Sequence, residues 1–477
     1  MNNSLKRLTT ITIQPWTAAF VAAILLIGLL FQALIPPFQS PDEFSHVKRA
    51  YMLSKGRIFL SHPPGQQYAG SDIDNGLLAY FEVYKTLPYT AANKFSQEEK
   101  RAGEQIKWAH AGTFSPAPGT GYYFPAAYLP QAMGLSIGEQ LDLSIHDTYK
   151  LTRVITFAST LAVLVLAFAV FPASPLLPAL LVLPMNLLQL LSASLDGFTT
   201  ALTILALSLF VRLSSRDKTD SPAAFLHGMC ACLFIVATSR IHMLPLIALP
   251  LFIYFSSRNR SALIYFFALT ASTIAWTALS IKASYIALAN PGASTGSIIH
   301  FYAERPGSVI QLILTTIQDE KLAEFYTQSF IGVLGWLDTY FTLDFYATIV
   351  LFIQVIALLS LSLDKTRQGI ARQVFLLFIA ATSAIFVFLA LLLTWNPLMP
   401  NVIAGIQGRY FVAPAIVFIY ALSGSARFCS SRARKIAAIA LACMTAYSLE
   451  ATATLMVERY FLVEKKDPGS IITLKIP

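Results

Sequence analysis

Residues 17–34 read TAAFVAAILLIGLLFQAL, and the nine that follow, 35–43, read IPPFQSPDE. The first stretch carries no charge. At 1.5 Å per residue it reaches about 27 Å, close to the ~30 Å of hydrocarbon in a bilayer. The second stretch breaks the helix with prolines and ends on two carboxylates, as expected where a chain leaves a membrane. Other uncharged runs extend from Ile155 to Asn186 and from Val374 to Trp395. None shows the polar stripe every third or fourth residue that a buried helix of a soluble protein carries. Of the 477 residues, 56% are hydrophobic and 12% charged, against roughly 25% charged in soluble domains. The fold class that follows is all-α, a polytopic bundle of transmembrane helices. The first run exceeds the 7–15 apolar residues of a signal peptide and no Ala-x-Ala site follows it, so it is expected to remain as a span.

Basic residues set the expected orientation. They form short clusters: Lys6 and Arg7; Arg212, Arg216 and Lys218; Arg258 and Arg260; Lys365, Arg367 and Arg372; and Arg427, Arg432, Arg434 and Lys435. All fall on the cytoplasmic side if spans run at about 16–34, 151–171, 175–193, 197–214, 222–239, 243–256, 261–283, 342–362, 373–395, 409–424 and 436–456. Eleven spans then place the N-terminus inside and the C-terminus outside. The net charge of +9 is accounted for by these clusters, and nucleic acid is not an expected partner. Residues 121–138 are apolar, but Pro125 and Pro130 interrupt them. They are read as a juxtamembrane or re-entrant helix, and twelve or thirteen spans remain open if they cross. The single membrane domain, 1–477, then carries a large extracytoplasmic loop at 36–150, a second external region at 284–340, a short third one from Asn396 to Gly408, and an external tail at 458–477. Cys230, Cys232, Cys429 and Cys443 lie in or beside apolar runs and none in the long polar loop, so disulfides are not expected there, and Cys230-x-Cys232 lacks the second ligand pair of a metal site.

Reactive side chains concentrate at the external span ends. Asp42 and Glu43 emerge directly from span one, with His46 and Arg49 behind them. A helix beginning near Ser40 or Pro41 puts Asp42 and His46 on one face. The plainer reading is that both acids complement the positive end of that helix. Asp196, between two apolar runs, is either a helix cap or a second carboxylate facing the same cavity. Arg153 and Arg240 either snorkel or hold a phosphate, which a planar guanidinium suits. Asp338 follows Trp336, an interfacial aromatic by position. Gln407, Arg409 and Tyr410 follow Gly405, in a segment where the glycines allow close backbone approach to a ligand or simply make a turn. Tyr80, Tyr84, Tyr122 and Tyr123 are candidates for stacking on sugar rings or for interfacial anchoring. Walker, Rossmann and His-Glu-x-x-His patterns are absent.

The segment Pro41-Asp42-Glu43-x-x-His46-x-x-Arg49-Ala50-Tyr51 with Gly56 resembles the opening motif of a bacterial membrane-protein family labelled domain of unknown function 2142. Further pieces resemble it in order: Tyr123-x-Pro125-x-x-Tyr128-x-Pro130-Gln131, Arg153, Pro184-Met185, Ser194-x-Asp196, Gly335-Trp336-Leu337-Asp338 and Gln407-Gly408-Arg409-Tyr410-Phe411. Departures are Ser45, where a small residue such as Ala is expected, and Arg240-Ile241-His242, where Lys and Tyr are commoner. That family is grouped with the GT-C glycosyltransferases. The resemblance therefore implies a GT-C-like plan with juxtamembrane helices in the first external loop, in a bacterial cytoplasmic membrane with the site facing the periplasm or cell exterior. It implies an inverting transferase that takes a sugar from a polyprenyl-phosphate donor to an envelope glycan or a lipid-linked acceptor. Asp42, or less readily Glu43, is the implied catalytic base. His46, Arg49, Arg153, Asp196, Asp338, Gln407, Arg409 and Tyr410 are the implied substrate-binding residues. No cofactor is fixed, and a divalent cation (Mg²⁺ or Mn²⁺) stays open, because some members of that superfamily use one and others do not.

Two readings compete. A flippase or transporter for a polyprenyl-linked glycan needs the same basic groups, together with inverted repeats and broken helices near the middle of the bilayer. A non-catalytic assembly protein for envelope polysaccharide makes the Asp42-Glu43 pair only a helix start.

Overall fold

The computed structural model describes residues 15–66, 68–172, 174–215, 223–284, 294–423, 431–463 and 473–474. The expectations for Lys6, Arg7, Arg216, Lys218, Arg427, Cys429 and most of the C-terminal tail lie outside the described residues. Helical structure coincides with every expected span. Among the described residues, six helices are long and apolar enough to cross a membrane: α6 (Ile145–Val170), α9 (Asp196–Leu213), α12 (Arg260–Ser284), α16 (Leu343–Ser360), α17 (Arg367–Trp395) and α19 (Ser431–Tyr460). Shorter apolar crossings are α1 (Pro15–Leu34), α10 (Ala223–Ser239), a 3₁₀ turn leading into α11 (Leu249–Ser257), and a 3₁₀ turn leading into α18 (Val412–Ser423).

The expected span at 175–193 is different. It is two short helices, α7 (Leu176–Leu181) and α8 (Pro184–Leu190), separated at Val182 and Leu183. Pro184 cannot continue the preceding helix because it lacks an N–H. Every residue from Leu176 to Leu191 in these two helices is buried. Broken backbone survives at membrane depth only where protein satisfies it. Here Asn186 Nδ2 donates to Leu180 O at 2.6 Å and Ser448 Oγ to Val182 O at 3.1 Å.

The first connection folds as a cap with its own core. It comprises α2 (Glu43–Ser54), an antiparallel pair β1 (Gly70–Asp74) and β2 (Gly112–Pro116), α3 (Asn75–Tyr84), α4 (Gln97–Gln105) and α5 (Leu129–Gln140). Phe38 is its centre, ringed by Phe44, Phe81 and Tyr149 at centroid distances of 4.7, 4.9 and 4.6 Å. Tyr80 and Tyr84 are fully buried in this core, so packing, not sugar stacking, is their role.

Segment 121–138 becomes a 3₁₀ turn at Pro125–Tyr128 and then α5. Turn and helix together make sixteen residues, about 24 Å, and they are not among the described helices apolar enough to cross. Gly134 lets α5 press onto α6, since a Cβ there would lie 2.6 Å from Thr152 Cα. Leu129, Met133 and Leu141 stay at least half exposed, as suits a helix at a membrane surface. Three further short helices, α13 (Thr295–Glu304), α14 (Pro306–Gln318) and α15 (Glu320–Ile331), fill the second region. They lead into a small hairpin of β3 (Val333–Leu334) and β4 (Thr339–Tyr340).

Candidate functional site

Three apolar crossings bring a charged residue to the end that meets the cap. Asp196 is the first residue of α9, Arg240 follows the last residue of α10, and Arg409 lies in the 3₁₀ turn before α18. Asp196 Oδ1 pairs closely with an Arg240 guanidinium nitrogen, and its Oδ2 lies 3.8 Å from Arg409 Nη1. Arg409 Nη2 in turn donates to Asp42 Oδ2 at 2.7 Å. The result is an alternating array, Arg240–Asp196–Arg409–Asp42, whose formal charges cancel. Gln407 Oε1 accepts from Arg409 Nε at 2.6 Å, and the Tyr410 ring lies 5.2 Å from the guanidinium carbon. Both fix the direction of the fork.

Asp42 does not start its helix in the expected way. Helix α2 begins at Glu43, and Asp42 precedes it in the left-handed region with φ 63° and no side-chain cap hydrogen bond. Aspartate visits that region more readily than most residues. The twist sends the two adjacent acids in opposite directions. Asp42 keeps 55% of its side chain exposed beside Arg409. Desolvation pushes its carboxyl up, but the Arg409 charge and hydrogen bond, with help from His46 and Arg240, hold it below its ordinary 3.8. Glu43 turns inward: Oε1 accepts from Tyr149 Oη at 2.8 Å and Ala193 N at 2.7 Å, and Oε2 from Ser40 N at 3.2 Å. Those donors tie the cap to α6 and to the turn before α9.

His46 is buried next to the array and shares a 2.8 Å hydrogen bond between Nδ1 and Tyr128 Oη. Desolvation, reinforced by Arg240 and Arg409 against the pull of Asp42, lowers its pKa to about 4, so the ring is neutral near pH 7. Tyr122 and Tyr123 join hydroxyls at 2.9 Å beside it, and burial pushes the Tyr122 hydroxyl up to about 12. Beneath the array, a narrow cleft of about 30 Å³ runs between α9 and α18, lined by Thr199, Thr203, Arg240, His242, Arg409 and Tyr410. It is a polar seam in an otherwise apolar bundle.

The remaining sequence candidates hold the scaffold instead. Arg49 is fully buried and donates to the carbonyls of Arg57 and Ile58 at 2.8 and 2.6 Å. Arg153 donates to Leu191 O at 3.0 Å and Ile35 O at 3.2 Å, lashing α6 to the end of α1. Asp338 pairs with Arg459 at 3.1 Å. Gly408 approaches backbone rather than ligand, because a Cβ there would lie 2.1 Å from Tyr326 O and 2.2 Å from Phe330 N. The sequence offers Arg240 as a span-end arginine that either snorkels or holds a phosphate, and it marks His242 only as a departure from the family motif. Their signal was position: both follow the last apolar residue of a span.

A cation does not fit this donor set. Each array carboxylate is already engaged by an arginine, and no group of three or more His, Cys, Asp or Glu suited to a metal ion occurs among the described residues. Cys230, Cys232 and Cys443 are free.

A family model described as "Predicted membrane protein (DUF2142)" matches residues 25–419. No curated protein and no solved structure matches the chain.

Proposed function

The chain belongs to the DUF2142 family of membrane proteins, and on that premise we propose that it is an inverting glycosyltransferase using a polyprenyl-phosphate-linked sugar. The observation that carries the reading is the pair of guanidiniums, Arg240 and Arg409, at the head of the polar cleft with the half-exposed Asp42 beside them. The first turns of α9 and α18 line the same cleft through Thr199, Thr200, Val412 and Ala413, so two positive helix ends add to the arginines. A lipid phosphate reaching that depth meets hydrogen-bond donors at the boundary where its own headgroup sits.

In the reaction, an acceptor hydroxyl oxygen forms a bond to the sugar's anomeric carbon. Its proton goes to the Asp42 carboxylate, and the bond from that carbon to the phosphate oxygen breaks with its electron pair. The phosphate leaves as a monoester with one more negative charge than the donor carried. Arg240 and Arg409 are preorganised where that charge develops. Arg409 is shared between Asp42 and Asp196, so a phosphate that draws it away frees Asp42 and raises its basicity toward that of an ordinary carboxylate. His46, neutral and hydrogen-bonded to Tyr128, positions the start of α2 and carries no charge that competes with Asp42. Glu43 holds the cap in register. The protein lies in the bacterial inner membrane with this end outward. Arg212, Arg258, Arg260, Lys365, Arg367 and Arg372, at or beside the other ends of the crossing helices, support that orientation.

The broken crossing α7–α8 favours a transporter as the second reading, since such folds place substrates at helix breaks. Against it, the break is closed by Asn186 and Ser448 and fully buried, with no half-helix end left for a substrate.

The test compares wild type with Asp42→Asn, expressed in source-organism cells lacking the native copy, by analysis of envelope sugars. The reading expects one specific sugar to vanish with the variant at normal protein level. An unchanged profile would remove Asp42 as base and bring the transporter or assembly reading forward.

A further inference from the structure

Tyr89 is 71% exposed. Among the described residues the other aromatic side chains more than half exposed, Phe255, Phe267, Phe378 and Trp395, all lie on apolar crossing helices. Tyr89 lies instead in the cap, at the tip of a turn, with a left-handed φ of 64°. A bulky residue holds that conformation only where the surroundings over-determine it. They do so here: the buried Arg459 donates to the carbonyls of Leu87, Thr90, Ala91 and Asn93 at 2.8, 3.3, 3.4 and 2.8 Å, and Asn93 Nδ2 closes the turn onto Thr86 O at 2.6 Å. Asp338 neutralises that arginine.

The Tyr89 ring stands edge-to-face on Trp336, with centroids 5.2 Å apart. Trp336 is fixed from behind, its Nε1 donating to Phe38 O at 2.8 Å, and its other neighbour is Phe44 at 5.7 Å, two residues beyond Asp42. Seven non-glycine residues have positive φ among those described, and four of them, Phe38, Asp42, Tyr89 and Leu337, gather around this corner. The Asp42 charge also helps push the Tyr89 hydroxyl above its ordinary 10, second to desolvation, so the phenol stands in the field of that carboxylate. Thr86, Ala92 and Asn93 of the same turn line an open cleft of about 810 Å³ with Ser96 and Glu98, a size typical of ligand sites.

We propose that Tyr89, backed by Trp336, is the platform on which a sugar ring of the acceptor rests beside Asp42, so that the acceptor is a glycan chain. A pyranose presents an apolar face of C–H bonds that a rigid aromatic plane covers, while its hydroxyls stay free to meet the base and water. The cleft beside the turn receives the following sugar units. The inference rests on the transferase reading for the identity of the bound glycan as acceptor, but the binding itself is separable from turnover.

The experiment uses the full chain in nanodiscs with a panel of defined hexasaccharides: glucan, galactan, mannan, rhamnan and arabinan. Wild type is expected to bind at least one, Tyr89→Ala to bind it about tenfold more weakly, and Tyr89→Phe to stay within about twofold of wild type. Unchanged thermal unfolding of both variants excludes a collapsed turn as the cause. No binding by wild type, or equal binding by Tyr89→Ala, overturns the platform. Binding that depends on Tyr89 alongside an unchanged sugar profile in Asp42→Asn would instead keep the platform and sink the transferase.

Discussion

His46 packs between Tyr128 and the charged array, and its depressed pKa has a signed consequence. Between about pH 6.5 and about pH 4 the unfolded chain binds a proton at this imidazole that the folded chain refuses. Stability therefore falls as pH drops through that window, by at most about 1.4 kcal/mol per pH unit. Asp42 acts lower: its carboxyl is held below 3.8, so its contribution persists above that value and is lost only beneath it. His46→Gln, which keeps a polar atom opposite Tyr128, should lose less thermal stability than wild type on moving from neutral pH to about pH 5. Equal losses would place the proton uptake on another group. At this scale the sequence reveals chemistry but not direction. Asp42 and Glu43 are adjacent and chemically alike, and only the left-handed backbone at Asp42 sends one to Arg409 and the other to Tyr149. Asp196, Arg240 and Arg409 are visible as polar residues at span ends. Their meeting is not visible, because contacts across such sequence separations leave no trace in a single chain's spacing.

Between elements, the 3₁₀ turn carrying Arg409 is set by its approach to α15. Gly408 N donates to Ser329 Oγ at 2.7 Å, and the space a Cβ needs is filled by backbone atoms of Tyr326 and Phe330. Backbone in a helix cannot step aside as a side-chain tip can. Gly408→Ala should therefore push the turn off α15, carry Arg409 away from Asp42, lower the unfolding temperature and abolish complementation of the glycan defect. Wild-type values on both counts would mean that α15 yields and that its packing does not set the arginine. The element scale also explains the one misread crossing. Residues 175–193 are apolar all round, so their hydropathy is that of a continuous span. The break at Val182 and Leu183 depends on partners, Asn186 and Ser448, that lie on the same segment and on α19. The juxtamembrane nature of α5 was legible because Pro125 and Pro130 are local signals.

Taken whole, the molecule is a helical bundle with a folded cap at one end and basic helix ends at the other. The bundle was legible because a bilayer imposes length and charge rules on the linear sequence. The cap's core was not, since its aromatic residues read equally as interfacial anchors until Phe38, Tyr80 and Tyr149 are seen packed together. The central claim concerns the seam between cap and bundle: two arginines await a lipid-borne phosphate. The direct measurement is binding of polyprenyl phosphate, compared with polyprenol of the same chain length, to the purified protein in nanodiscs. The sugar need not be known, because the leaving group is common to all such donors. Wild type should prefer the phosphate by at least about tenfold, and Arg409→Lys, which keeps the charge but loses the fork, should erode that preference. Equal binding of phosphate and alcohol by wild type would contradict the claim.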